Sequence, residues 1–71
     1  MHAERGGEEV LIAVEAEAKP RHSDVGALLA KAELLRAKTG HPHVEPVLAS
    51  VYAGREVEAY AKQKGVKIIK L

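Results

Sequence analysis

The sequence predicts a minimal α/β domain of order strand–helix–strand–helix–strand, built on a three-stranded, mainly parallel sheet. Three observations predict it. Val10 to Lys19 alternate with a period of two, the signature of a strand. Two later segments carry apolar residues at steps of three and four, and each closes on a glycine, Gly40 or Gly65. Between them Val47 to Tyr52 are apolar with only Ser50 interrupting, the pattern of a strand buried on both faces of a parallel sheet.

Each element follows in chain order. Residues 1–9 are polar and charged, with Gly6-Gly7 as a breaker, and read as a flexible lead-in to a single domain over 10–71. In the first strand Val10, Ile12, Val14, Ala16 and Ala18 share one face, which the alternation assigns to the core. The other face, Leu11, Ala13, Glu15, Glu17 and Lys19, turns polar toward its C-terminal end, and Pro20 stops the strand. Ser23 reads as the N-cap of a helix over about 24–39, with Asp24 at the positive end of the dipole and Val25, Leu28, Leu29, Ala32 and Leu35 as its buried stripe. Lys31 and Lys38 lie off that stripe. Gly54 ends the Val47–Tyr52 strand, Val57, Tyr60 and Ala61 mark a short helix, and Val66 to Leu71 form the last strand.

Right-handed crossovers between neighbouring parallel strands place both helices on one side of the sheet and leave the other side uncovered. A 71-residue chain has a small core, and without cysteine it has no disulfide or thiolate metal site to reinforce it. Together these point to a homodimer that covers the open face and buries the Val47–Tyr52 strand. Met1–Glu9 have no secretory pattern and no apolar run reaches spanning length, so the expected compartment is the cytoplasm, with no membrane. Eleven basic and ten acidic residues leave a net charge of +1, which is no whole-chain footprint for nucleic acid. Tyr52 and Tyr60 are the only aromatics, which argues against a base-stacking platform of the single-strand-binding kind. Abundant Ala, Glu and Lys with scarce Asn and Gln is the composition of a thermophile.

One constellation can carry chemistry. Glu15, Glu17 and Lys19 are spaced by two residues near a strand's C-terminal end, where open α/β sheets place ligands. A carboxylate beside a lysine suits metal-assisted phosphodiester cleavage. The acid supplies hard oxygen to Mg²⁺ or Mn²⁺, and the ammonium positions water or neutralises phosphate charge. The bland alternative is ordinary strand surface, where such pairs contribute about 0–1 kcal/mol.

The run VLIAVEAEAKP, the helix opening SDVGALLAKAELL, then PVLASVYAG and the closing AKQKGVKII resemble the C-terminal half of the PD-(D/E)xK nuclease core. The likeness is to its uncharacterised archaeal and bacterial members and spans about residues 10–70. It implies a restriction-endonuclease-like half-core completed by dimerisation, with Glu17-Ala18-Lys19 on the (D/E)xK positions. Glu17 then becomes a metal ligand and catalytic acid, Lys19 the catalytic lysine, and Mg²⁺ or Mn²⁺ the cofactor for cleavage of DNA or RNA. The chain departs from the pattern upstream. None of the nine residues before Val10 is the aspartate of the "PD" half, so Glu15 or a partner's carboxylate has to stand in as second metal ligand. Such a nuclease is expected to be weak or inactive alone. The alternative is a catalytically empty dimerisation or interaction module of the same fold.

Other groups read more simply. His41-Pro42-His43 reads as a solvated turn and His22 as a loop residue. Lys19, Arg21 and the helix start at Ser23 could receive a phosphate. Lys62, Lys64, Lys67 and Lys70 make a basic C-terminal end, read as a solvated face.

Overall fold

A computed structural model describes residues 2–5 and 8–71, with side chains from Glu9 onward. Its elements are β1 (His2–Arg5), β2 (Glu8–Glu17), α1 (His22–Thr39), β3 (Val44–Ser50), α2 (Arg55–Gln63) and β4 (Lys67–Lys70). They form one four-stranded sheet of order β1-β2-β3-β4. β2, β3 and β4 run parallel, so the strand–helix–strand–helix–strand order is present with three parallel strands. β1 occupies the segment expected as a lead-in and pairs antiparallel with β2, His2 opposite Leu11 and Arg5 opposite Glu8. Gly6-Gly7 lie outside the described residues.

Both helices pack on one side of the sheet. The core joins Leu11 and Ala13 of β2 and Val44 and Leu48 of β3 to Val25, Leu28 and Ala32 of α1 and Val57 and Ala61 of α2. Ile68 of β4, Leu35 and Tyr60 pack against this cluster. The facing of β2 is therefore the reverse of the one its alternation suggests. The helices cover the Leu11–Ala13–Glu15 face, while Val14 on the opposite face is 40% exposed. Periodicity separates the two faces of a strand but does not say which one a crossover helix takes. The more uniformly apolar set is the one left open.

β3 ends at Ser50, two residues before the expected boundary, and Val51 and Tyr52 are exposed. Pro46 sits inside this strand, which a sheet tolerates only where no partner needs its N–H. The Leu11 N–H donates to the His43 carbonyl at 2.9 Å, and the Leu71 N–H to the Ser50 carbonyl at 2.8 Å. Odd residues of β3 thus turn their backbone toward β2 and even ones toward β4. Pro46 faces the β4 side one residue before that pairing begins at Val47. No ladder bond is lost.

The stop signals hold where the backbone needs them. Gly40 at the end of α1 has φ 69° and Gly65 after α2 has φ 79°, the left-handed region that favours glycine. At the start of α1 the cap is Arg21 rather than Ser23. Arg21 is extended, and its N–H donates to the Asp24 carboxylate at 2.7 Å. The acid three residues into the helix reaches back to an orphan donor, and the helix begins earlier than Ser23 would allow. Among the described residues, no helix is long and apolar enough to cross a membrane.

Candidate functional site

The C-terminal ends of β2 and β3 lie side by side, Glu15 opposite Leu48 and Glu17 opposite Ser50. All four side chains belong to the helix-covered face; Leu48 and Ser50 are fully buried, whereas on β2 the face turns polar beyond Ala13, with Glu15 half-buried and Glu17 exposed. The Glu15 carboxylate lies 3.2 Å from the Lys31 ammonium of α1. Lys31 also donates to the Val14 carbonyl at 3.3 Å. β1 pairs with β2 only as far as Leu11, so Val14 lies on an open sheet edge, and the lysine satisfies one of its exposed backbone groups. In the sequence Lys31 stands out only as lying off the buried stripe. Its position one turn beyond Leu28, with a long flexible stem, is the signal that it could reach the sheet.

Glu17, the last residue of β2, is exposed. Lys19 does not continue the strand face beside it, as the period of two implies. β2 stops at Glu17, and Ala18 and Lys19 form a bend that carries the chain into α1 within a few residues. Pro20, buried at this corner, enforces the stop. The bend is anchored through one atom. The Ala18 carbonyl accepts the Tyr52 N–H at 2.9 Å, and the fully buried Ser50 hydroxyl lies 3.5 Å from it. The Glu17-Ala18-Lys19 element is thus held by strand pairing on one side and by the β3–α2 connection on the other.

Beside it stands the first turn of α1. Arg21 and Lys19 are exposed, and His22 is the first helical residue rather than a loop residue. Its ring meets that of Tyr60 on α2, with centroids 4.8 Å apart. The Lys64 ammonium lies 5.7 Å from the Tyr60 ring centroid, within cation–π range. The result is an exposed corner with two carboxylates, Glu17 and the Asp24 that Arg21 engages at 3.8 Å, together with the basic side chains of Lys19, Arg21 and Lys64 and the N–H groups of a helix start.

The fit to a metal is incomplete. Mg²⁺ and Mn²⁺ take several oxygen ligands. Of the two expected metal-binding acids, Glu15 is engaged by Lys31, which leaves Glu17 alone. Among the described residues no group of three or more His, Cys, Asp or Glu gathers around a common point.

The remaining candidates lie elsewhere. His41 and His43 sit at the N-terminal ends of the parallel strands, where the His43 N–H reaches His41 Nδ1 at 3.4 Å and His41 Nε2 lies 4.0 Å from Glu9. An open cleft there is lined by Arg36, Pro42, His43, Pro46 and Gly65, on the opposite end of the sheet from Glu17. Of the C-terminal lysines, Lys70 is occupied by Glu58 at 2.6 Å. Together the fold and this corner define a small α/β domain with a polar site at the carboxyl edge of its parallel strands. No protein-family model, curated protein or solved structure matches the chain.

Proposed function

We propose that the corner formed by Glu17, Lys19 and the start of α1 is a nuclease-like site that faces the phosphodiester backbone of DNA or RNA. The observation that carries this reading is the exposure of Glu17 and Lys19 at the carboxyl edge of the parallel sheet, on a bend pinned through Ala18. Lys19 and the N–H groups of the helix start add positive potential where a phosphate would sit, while the Arg21 guanidinium is shared with the Asp24 carboxylate 3.8 Å away. The resemblance of Glu17-Ala18-Lys19 to the (D/E)xK element supports the same assignment. Phosphate binding is the part of that activity these residues can carry alone. Cleavage with Mg²⁺ or Mn²⁺ needs a further carboxylate, supplied by a partner subunit. The chain acts as a homodimer or with such a partner.

Fluorescence anisotropy with short DNA and RNA strands tests the site. Lys19→Ala should weaken binding of every sequence alike and flatten its salt dependence, since the lysine reads charge. Glu17→Ala should abolish any binding of Mn²⁺, which Lys19→Ala should spare. Robust cleavage by the purified chain that neither substitution affects would refute the assignment.

A second reading is favoured by a separate observation. The open face of the sheet exposes Val14, Ile69 and Leu71. An apolar face of this kind suits a dimerisation or interaction module, with or without a working site at Glu17.

A further inference from the structure

Strand register maps the open face. Ile12 stands beside Glu45; Val14, Val47 and Lys67 form the next row; Ala16, Ala49 and Ile69 form the third. All of these but Ala16, together with Leu71, line one shallow apolar depression, whose charged members among the described residues are Glu45 and Lys67. The two charges stand on a diagonal, one strand over and two residues along.

We infer that a second copy of this chain docks on this face about a twofold axis, with Glu45 of each copy against Lys67 of the other. An axis lying in the interface midway between the two charges superposes them on each other's positions. The same operation sets Val14 and Val47 near their own mates at the centre and Ile12 over Ile69. The strands of the two sheets then cross at roughly a right angle, which is one of the two standard ways for sheets to pack. A closed twofold contact makes the patch self-complementary in both charge and apolar surface.

This inference rests on the homodimer named above and gives it a surface. It also carries a consequence for the site. Glu17 lies on the helix-covered face, so a copy docked on the opposite face leaves Glu17 and Lys19 open. The second copy does not bring its acid there, so the partner subunit that supplies the further carboxylate is a different chain.

Sedimentation velocity at micromolar concentration tests the interface, with circular dichroism confirming that each variant is folded. The parent chain should be a dimer. Glu45→Lys and Lys67→Glu should each set like charges together twice across the axis and weaken the dimer about a hundredfold or more. An equimolar mixture of the two variants should restore a dimer. One chain then carries lysine at both positions and the other glutamate at both, so opposite charges meet at each contact. An ion pair confined within one chain cannot produce that rescue. Monomeric parent protein, variants that stay dimeric, or a mixture that stays monomeric each overturn the inference. Nucleic-acid binding by folded monomeric variants would leave the Glu17–Lys19 reading standing, and its loss through Lys19→Ala in an intact dimer separates the two.

Discussion

The two faces of this sheet carry similar numbers of apolar positions and meet different fates. The covered face uses Leu11, Ala13, Val44 and Leu48 as a floor for both helices, and turns polar toward the carboxyl ends of its strands at Glu15, Glu17, Ser50 and Lys70. The open face stays apolar from Ile12 to Leu71, broken only by Glu45 and Lys67. On the covered face, β2 passes from buried Leu11 and Ala13 to half-buried Glu15 and exposed Glu17, so folding and site are segregated along the same strand. Among the described residues the open face shows no such division, with Val14, Ile69 and Leu71 exposed and Val47 buried. A face that folds the chain can hold a site at its rim, while a face on which no described helix packs is suited to a partner.

The comparison makes graded predictions about stability. Truncation of Leu28 or Leu48, both almost fully inaccessible, should cost on the order of 2–5 kcal/mol. In denaturant titrations at concentrations low enough to keep the chain monomeric, Val14→Ala on the open face should cost well under the core range, about 1 kcal/mol or less. Equal losses on both faces would erase the distinction.

Smaller effects come from the chain's corners. Gly65→Ala meets no atom within 4 Å, so its cost is conformational, about 1 kcal/mol for a non-glycine residue held at positive φ. Asp24→Ala removes the acceptor of the Arg21 N–H and should lower stability by about 0.5–1 kcal/mol. Both are readable as shifts in the urea midpoint. Least of all, breaking the Glu15–Lys31 pair should cost no more than ~1 kcal/mol and fade with added salt, because both groups are nearly half exposed. A larger, salt-insensitive loss on Lys31→Ala would instead assign the lysine's role to its bond with the Val14 carbonyl.

Much of this architecture is legible in the residues. Gly40 and Gly65 mark both helix ends because the backbone there adopts a conformation that few other residues accept. The stripe from Val25 to Leu35 marks the buried side of α1, although Leu35 is only half-buried. What escaped was set by tertiary context. β1 is four residues long and highly charged, so nothing local distinguishes it from a lead-in; its partner strand makes it a strand. Pro46 argues against a central strand until the stagger of β4 is known. Val51 and Tyr52 continue an apolar run past the point where β3 ends, and only the Tyr52 N–H, spent on Ala18, reveals the turn. At the candidate site, spacing by two places Glu15 and Glu17 on one face. It cannot foresee that Lys31 takes the first or that a bend carries Lys19 off the strand.

The proposed site sets nucleic-acid backbone at the rim of the covered face and not on the open one. Amide chemical-shift mapping during titration with a short oligonucleotide tests it most directly. Changes should concentrate at Glu17 to Asp24 and at the neighbouring Ser50 to Tyr52, and diminish in Lys19→Ala. Changes centred on Ile12, Val47 and Ile69, or on the His41–Pro46 cleft, would contradict it.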